Sequence, residues 1–325
     1  MVMKTRTRVA EAGSALLAVL GSVAALSAIA FAMTAAAHNA LDRASLRADS
    51  TRAYFLARGG IEAALHEMSA GLARSDTAAG AEYRQYVFQT GVATVSIASE
   101  NGKLNVNRAS REAIASLLTS AGTTPLDSGS LAEGILAYRR DLLAGRIDHF
   151  AAPFSTGPVR VARSSFERRI ASIQVIEELL AVPGITSDLL YGSYRADTAS
   201  GSSPGAFGRV EGLRRFLRTD GPATIDINAA PRAVLLAAGL DESLANQLVE
   251  ARESGPLSLS DSLVGRAIRE STRTPLVANS VPTGWTITST GVLEGRRAIR
   301  TVSTLVDAGD SSRQLRIRQW YEHPL

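Results

Sequence analysis

The sequence lacks cysteine entirely and carries little net charge. With no cysteine among 325 residues, disulfide bridges, thiolate zinc sites and cysteine nucleophiles are all excluded. The formal net charge is only +4 at pH 7, and part of it comes from a short basic segment at the N-terminus. A charge this small does not favour a nucleic-acid partner, even though the nominal pI is about 9.7.

Motifs of the common enzyme classes are also missing. The four histidines are scattered along the chain, and no H-x-x-x-H pair could hold a metal on one helix face. The glycine-rich residues 201–208 lack the Lys-Ser/Thr of a phosphate-binding loop, and no G-x-S-x-G elbow is present. The sequence therefore predicts no catalytic residue and no cofactor, and an enzyme is the least favoured class.

One long apolar run dominates the N-terminal region. Residues 14–37, SALLAVLGSVAALSAIAFAMTAAA, contain no charged side chain and follow a basic leader, residues 1–13. As a helix with a rise of ~1.5 Å per residue the run would be about 36 Å long, whereas the hydrocarbon core of a bilayer is ~30 Å thick. The run therefore predicts a single transmembrane helix that anchors the rest of the chain.

Two alternatives exist for the processing of this anchor. A secretory signal would be cut after residues 35–37, Ala-Ala-Ala, but the apolar region of such signals is only ~7–15 residues long. The other cut follows Gly13, directly before Ser14, where the basic leader meets the apolar run. A glycine in this place resembles the cleavage site of prepilin-like proteins, in which the leader is removed on the cytoplasmic side and the helix stays in the membrane.

The start of the apolar run departs from that family in one respect. The run opens with Ser14, Leu16 and Leu17, and its fifth residue is Ala18. Most pilins and pseudopilins have a glutamate there, which is thought to pair with the N-terminal amine of a neighbouring subunit. Because a charge inside the bilayer is costly, it is kept only where it has a partner. Ala18 therefore predicts a subunit that caps a filament, although an ordinary membrane anchor would also lack the glutamate.

Residues 38–75 continue the helix without a proline. Five apolar residues recur at the spacing of one helix face, and they predict a stem that packs on a globular domain. They are Tyr54, Ile61, Leu65, Met68 and Leu72. The Gly59-Gly60 pair weakens the helix but permits close packing against a sheet. Basic residues lie on both sides of the span: a basic leader precedes it, and Arg43, Arg47, Arg52 and Arg58 follow it. The positive-inside rule therefore does not decide the orientation of the helix. We place the leader on the cytoplasmic side because of the proposed cleavage.

The remaining sequence predicts a sheet that is interrupted by a helical block. Residues 92–99 alternate as a strand, and Asn101-Gly102 predicts a hairpin turn that leads into a returning strand over residues 103–107. Strand composition returns in residues 285–292, 297–306 and 314–322. We therefore expect residues 76–106 and 279–325 to form a small β domain, with residues 107–278 as an α-helical insertion.

A faint internal repeat lies within this block. Residues 104–109, LNVNRA, are similar to residues 225–230, IDINAA, and residues 131–140, LAEGILAYRR, are similar to residues 244–253, LANQLVEARE. Asn107 and Asn228 end the paired short strands and are predicted to be N-caps of the helices that follow.

A helix-hairpin-helix element is predicted between the repeats, with its turn at Pro183-Gly184. DNA-binding hairpins commonly read G-x-G, whereas this turn has no second glycine and is followed by Asp188, so a structural role is favoured over DNA binding. Residues 195–209 predict a flexible loop. Arg214, Arg215 and Arg218 predict an amphipathic helix with a solvated face, and a basic face that meets an acidic partner is the alternative.

Together these features resemble the K-type minor pseudopilins of bacterial type II secretion systems. The matching stretches are the anchor opening after Gly13, residues 104–107, 177–184 and 225–231, and the closing β stretch through Trp320. The resemblance implies an α+β fold with a pilin-type transmembrane helix, a small antiparallel sheet and a large α-helical insertion of the helix-hairpin-helix or SAM-like kind.

The resemblance also implies a function and partners. It implies a non-catalytic subunit, cleaved by a prepilin peptidase, with its helix in the inner membrane and its body in the periplasm. Its partners would be the I-type and J-type minor pseudopilins at the tip of a pseudopilus, and the major pseudopilin. Some members bind calcium, but no D-x-D-x-D-G loop is present and Asp307 with Asp310 is a thin carboxylate pair, so calcium is not favoured. The alternatives are a minor pilin of a type IV pilus and a signal-peptide-cleaved periplasmic binding protein with helix-hairpin-helix elements.

Overall fold

The structure, a computed structural model, describes residues 5–70, 81–144, 172–196, 207–278, 280–295, 298–308 and 315–323. In chain order its helices are α1 (Thr5–Ser69), α2 (Arg111–Ser120), α3 (Pro125–Leu143), α4 (Ser187–Tyr191), α5 (Arg232–Ala237), α6 (Glu242–Glu253) and α7 (Ser262–Glu270). Short 3-10 helices cover Glu100–Gly102, Ile176–Ala181 and Leu213–Arg215. The strands are β1 (Ala81–Phe88), β2 (Gly91–Ser99), β3 (Leu104–Asn105), β4 (Gly192–Ala196), β5 (Phe207–Glu211), β6 (Leu217–Arg218), β7 (Ile225–Asp226), β8 (Leu276–Val277), β9 (Gly284–Leu293), β10 (Ile299–Ala308) and β11 (Leu315–His323).

Helix α1 has an exposed half and a packed half. It is one helix of 65 residues, about 97 Å long at ~1.5 Å per residue. Residues 18–48 are exposed on every side of the helix, and burial begins at Asp49. The absence of proline and the abundance of alanine and leucine favour such an uninterrupted helix. The helix ends at Ser69, so it is shorter than the predicted stem, and residues 71–75 lie outside the described residues.

The packed half of α1 lies on a five-stranded antiparallel sheet with the order β1-β2-β9-β10-β11. The strands predicted for residues 92–99 and for the C-terminal region are therefore confirmed. Strands β2 and β9 are neighbours in the sheet, yet residues 100–283 separate them in the sequence. The protein is thus an α+β molecule in which a mainly helical block is inserted between two adjacent strands.

The predicted hairpin turn at Asn101-Gly102 is wrong. The hairpin forms one strand earlier, where β1 pairs with β2. Asn101 and Gly102 are buried in a 3-10 helix, and the short strand Leu104–Asn105 pairs in parallel with Leu217–Arg218 of the insertion. An Asn-Gly pair favours an exposed turn because both residues tolerate positive φ. Here, instead, the amide side chain of Asn101 and the missing Cβ atom of Gly102 serve tertiary contacts.

Glycines allow α1 to approach the sheet closely. A Cβ atom at Gly60 would lie 2.6 Å from Ser289 Oγ and 2.7 Å from Ala93 Cβ, which is closer than real Cβ atoms come. On β9, a Cβ atom at Gly291 would overlap the backbone of α1 at Ala53. Buried aliphatic side chains of both layers surround this contact, among them Ile61, Val95, Ile287 and Val302. The predicted close packing is therefore confirmed at Gly60.

The insertion has a hydrophobic core that includes residues from each of its described helices. Its fully buried members include Leu104, Leu117, Ile135, Leu179, Ile225 and Leu235. Two pairs of short parallel strands, β3 with β6 and β7 with β8, lie beside the helices. Because one apolar cluster includes residues from both similar segments of the predicted repeat, the two segments pack as a single body.

Two other predictions within the insertion are wrong. The ends of the loop predicted for residues 195–209 belong to strands, since β4 pairs with β5 from Gly192 opposite Glu211 to Ala196 opposite Phe207. Residues 197–206 lie outside the described residues. The predicted amphipathic helix is a single 3-10 turn followed by β6, and Arg218 is buried, with only 3% of its surface exposed.

The close contact at Gly60 leads to a stability prediction. Gly60→Ala should lower the stability of the sheet unit by about 1–3 kcal/mol because the added methyl group overpacks the contact. The matched change Gly265→Ala in α7 should be neutral or stabilising, since its Cβ would meet only the end of Arg269, at 3.5 Å, and alanine favours helix. Both tryptophans, Trp285 and Trp320, lie in the sheet, so tryptophan fluorescence during thermal unfolding in detergent reports this unit. Equal midpoints for both variants would contradict the prediction.

Candidate assembly site

The exposed half of α1 presents a continuous apolar surface. Its large side chains are 55–78% exposed; they are Val19, Leu20, Val23, Leu26, Ile29, Phe31 and Met33. The helix is long and apolar enough to cross a membrane. Its most apolar 18-residue stretch has a mean hydropathy of 2.0, and no part of that stretch is buried in the protein. Such a surface needs lipid or other apolar helices around it.

Polar side chains within this half form hydrogen bonds to the helix itself. The hydroxyl groups of Ser22, Ser27 and Thr34 each donate to the carbonyl oxygen four residues earlier, at 2.8 Å. The Nδ1 atom of His38, just beyond the apolar run, lies 2.8 Å from the carbonyl oxygen of Thr34. Because lipid supplies no hydrogen-bond partner, this internal satisfaction suits a helix in a bilayer.

The predicted processing and assembly residues lie on this helix. Gly13, Ser14, Leu16 and Leu17 are part of the continuous α1 backbone, and the positions of their side chains lie outside what the structure describes. Ala18 is exposed.

Polar contacts at the sheet hold the packed half of α1 in place. Arg300 Nε donates to Ser50 Oγ at 2.7 Å at the start of this half. Near its end, Glu67 accepts hydrogen bonds from Tyr86, at 3.0 Å, and from Arg84. Burial, together with Glu67, raises the pKa of the Tyr86 phenol, which therefore stays a hydrogen-bond donor at physiological pH. These contacts join both ends of the packed half to strands β1 and β10.

A buried polar junction joins the sheet to the insertion, and sequence analysis did not identify it. Asn101, just after β2, donates through Nδ2 to Ser280 Oγ at 2.8 Å and to the Val281 carbonyl oxygen at 2.9 Å. Its Oδ1 atom accepts from Thr283 Oγ1 at 3.1 Å. One amide side chain thus connects the chain where it leaves the sheet with the chain where it returns to β9. We call Asn101, Arg218, Asp226 and their partners the junction.

Arg218 is the cation of the junction. Its guanidinium donates to the carbonyl oxygens of Glu100, at 3.2 Å, and Pro222, at 2.7 Å, and is 3.4 Å from Asn101 Oδ1. Burial lowers the pKa of Arg218, while the nearby charges of Glu100 and Asp220 oppose that shift. Because arginine stays protonated in proteins, this buried cation depends on these acceptors for its solvation.

Two further contacts bring the insertion against the end of β2. The Asp226 carboxylate accepts from the backbone nitrogen and the hydroxyl group of Ser280, both at 2.7 Å. A Cβ atom at Gly102 would overlap the backbone of Ala229, so glycine is required for this approach. The block is therefore packed directly on the sheet unit.

Arg214 and Arg318 connect the insertion to the last strands. The Arg214 guanidinium lies 3.7 Å from the ring centre of Tyr321 in β11 and 3.3 Å from Glu177. Arg318 of β11 pairs with Asp220 and lies 3.2 Å from Asp307. Arg214 is thus not on a solvated helical face, because it makes a cation–π contact and an ion pair instead.

The carboxylates considered for calcium do not form a metal site among the described residues. Asp307 already pairs with Arg318, and Asp310 lies outside those residues. Burial raises the pKa of Asp307 in spite of Arg318. In the described ranges, no group of three or more His, Cys, Asp or Glu side chains is placed to hold a metal.

Asn107 and Asn228 are not N-caps, contrary to prediction. Ser110 caps α2 by accepting from the Ala113 nitrogen, and α5 begins after Pro231 without a side-chain cap. Each asparagine side chain instead pairs with a distant backbone through both its oxygen and its nitrogen. Asn107 bonds the nitrogen and oxygen of Ile173, at 2.9 and 2.8 Å.

The second repeat uses the same contacts. Asn228 bonds the nitrogen and the oxygen of Leu257, both at 2.9 Å. Arg252 donates to the carbonyl oxygens of Ile227 and Ala230, as Arg139 of the first repeat does to those of Val106 and Ala109; the four distances are 3.0, 2.6, 3.1 and 2.9 Å. The repeat predicted from sequence therefore has matching positions in the structure. Arg139 and Arg252 are aligned in the two segments, and this alignment is the sequence signal that could have identified them.

The predicted helix-hairpin-helix turn is present in a modified form. Gly184 has a φ of +90°, which favours glycine, and α4 follows with Thr186 as its N-cap. The helix before the turn, Ile176–Ala181, is 3-10 and not α-helical. A Cβ atom at Gly184 would lie 2.7 Å from Leu131 Cδ2 of α3, so the turn packs against the insertion's own core.

The corrected role of Asn107 can be tested against the cap role. Asn107→Asp would preserve a helix cap, but it would remove the donor to Ile173 and place a negative charge beside two carbonyl oxygens. We expect it to lower stability by about 1–3 kcal/mol. Ser110→Asp, at the true cap, should be tolerated because a carboxylate is favourable at a helix N-terminus. Circular dichroism melting of both variants in detergent checks this, and tolerance of Asn107→Asp would contradict it.

No protein-family model matches the chain, and no curated protein sequence matches it. Among solved structures, the chain is similar to a chain of the crystal structure of the GspK-GspI-GspJ complex from the enterotoxigenic Escherichia coli type 2 secretion system. The two share 13% sequence identity with a TM-score of 0.49, and the similarity covers 87% of this chain and 100% of the other.

Proposed function

We propose that the protein is a non-catalytic K-type minor pseudopilin of a type II secretion system. In this role it assembles with other minor pseudopilins at the tip of a periplasmic pseudopilus, to initiate or cap it and so support protein export. The observation that supports this most directly is α1, a single helix whose first half is apolar and fully exposed while its second half packs on a small antiparallel sheet.

The exposed half of α1 supplies the assembly chemistry. Burying a large apolar side chain is worth roughly 1.5–3 kcal/mol, so the row of side chains from Val19 to Met33 strongly favours an apolar environment. In a monomer the bilayer provides this environment. In a filament, the same surface packs laterally against the corresponding helices of neighbouring subunits, and no new folding is required.

Ala18 supports a position at the end of the filament. A carboxylate in the bilayer costs ~2.5–3.5 kcal/mol or more unless a partner stabilises it. With Ala18, the protein does not carry that cost, and it does not offer a carboxylate to a subunit above it. A terminal subunit needs to bond only to neighbours on one side, which agrees with this composition.

The inserted block supports the same position. It enters and leaves the sheet unit through the junction, where Asn101, Arg218 and Asp226 are buried. A block packed on the sheet through a buried polar network keeps its orientation relative to α1. Such bulk at one end of the stem obstructs the addition of a further subunit, which is what a capping role requires.

The proposal names specific partners. The complex with a similar fold contains GspI and GspJ, and we propose minor pseudopilins of these two types as neighbours of this chain. The major pseudopilin would lie below them, and a prepilin peptidase would cleave after Gly13. The protein would then be a single-pass inner-membrane protein with its sheet and insertion in the periplasm.

Maturation separates this proposal from the binding-protein alternative. We expect the mature protein in the membrane fraction to begin at Ser14, because cleavage after Gly13 leaves the apolar helix attached. A signal-peptide-cleaved periplasmic protein would begin at His38 and be released from the membrane. N-terminal sequencing of the protein from fractionated cells distinguishes the two, and a soluble form that begins at His38 would reject the proposal.

A variant series tests whether Gly13 directs this cleavage. Gly13→Val should leave the leader in place and impair secretion, because it changes the residue at the proposed cut. Gly21→Val is the matched control, because it adds the same side chain to the same helix at a site with nothing within 4 Å. Immunoblotting for the leader and assay of exported protein are the measurements. Normal maturation of Gly13→Val would contradict the assignment, and a pilus defect with normal secretion would favour the type IV minor pilin.

A further inference from the structure

The basic residues that follow the apolar run have no role in the proposal above. Arg43 and Arg47 are both exposed and lie four residues apart, so they share one face of α1. We propose that Arg43 and Arg47 bind the phosphate groups of anionic phospholipids where the helix leaves the bilayer. This inference depends on one part of the proposed function, the retention of α1 as a membrane anchor.

The position of these arginines relative to the apolar run supports lipid contact. Headgroup layers extend the bilayer from ~30 Å to ~40–45 Å, or roughly 5–8 Å on each side. The Cα atoms of Arg43 and Arg47 lie about 9 Å and about 15 Å along the helix from Ala37, at ~1.5 Å per residue. Helical side chains point back toward the N-terminus, and long arginine side chains extend toward the interface. Both guanidinium groups therefore reach the headgroup level or its outer edge.

Partners within the protein distinguish these two arginines from those farther along α1. Arg52 lies 3.4 Å from Asp49, and Arg58 lies 3.9 Å from Glu62. Within the described part of the chain, no carboxylate forms an ion pair with Arg43 or Arg47. Two cations on one helix face without a protein counter-ion are complementary to a layer of phosphate groups, which a guanidinium binds through two parallel hydrogen bonds.

The orientation of the span gives a second argument. Arginines on the exported side work against the positive-inside preference, and in this chain four arginines follow the span whereas three basic residues precede it. Anionic headgroups at the exit point offset that cost. Each basic residue near an anionic surface strengthens binding about fivefold, so two together would strengthen it about 30-fold.

Lipid titration of the full-length protein tests this inference. Short-chain phosphatidylglycerol is titrated into the protein in neutral detergent, with phosphatidylcholine of the same chain length as the neutral lipid, and bound lipid is counted by native mass spectrometry. The wild type should bind phosphatidylglycerol in preference, and R43Q/R47Q should weaken that binding about 30-fold. The matched control R266Q/R269Q removes the same charge from two exposed residues of α7 and should bind as the wild type does.

Each other outcome has a defined meaning. Equal binding of the two lipids by the wild type, or unchanged phosphatidylglycerol binding by R43Q/R47Q, would overturn the inference. If R43Q/R47Q keeps its lipid binding but loses crosslinking to a neighbouring pseudopilin, the arginines pair with a subunit and not with lipid, which also overturns it. Release of the wild type from membranes by alkaline extraction would reject the anchor itself, and thus the proposed function, independently of the lipid result.

Discussion

The packed half of α1 approaches β9 so closely that a side chain on Gly60 or Gly291 would overlap the opposite layer. Helix and sheet therefore behave as one unit, and the remaining half of α1 must project from it as an unsupported helix. Because that half is apolar, the molecule combines a folded body with a surface that water cannot solvate well. The proposed membrane insertion and lateral assembly both depend on this one constraint.

The junction shows how a large block can be inserted into such a unit without becoming a flexible appendage. Asn101, Arg218 and Asp226 are each buried, and their partners are mostly backbone groups at the points where the chain leaves and re-enters the sheet. A buried cation is costly when its acceptors are missing. Arg218 Nε has no partner among the described groups, so a misplaced block that also removed the Glu100 and Pro222 carbonyl oxygens would leave the guanidinium unpaired. We infer that the polar character of the junction favours one orientation of the block over others.

The sequence predicted those parts of the fold that depend on local pattern. The continuity of α1, the C-terminal strands and the helical block all follow from periodicity and composition. Predictions failed where a distant contact decides the role of a residue. Asn101-Gly102 has the composition of a turn, but it contacts residues about 180 positions away. Asn107 has the composition of a cap, but its partner, Ile173, is 66 positions away. A single sequence carries no record of such pairings.

The repeat is the exception, because its two segments can be compared with each other. Similar segments need similar solutions for their turns, so each repeat closes its strand with an asparagine that bonds a distant backbone and an arginine that bonds two carbonyl oxygens. Arg139 and Arg252 are aligned in the two sequences, so comparing the segments with each other could have identified both. Because the two repeats share one apolar cluster, neither can move without opening the core of the other. The bulk that the proposed capping role requires is thus a single packed body, held to the sheet at the junction.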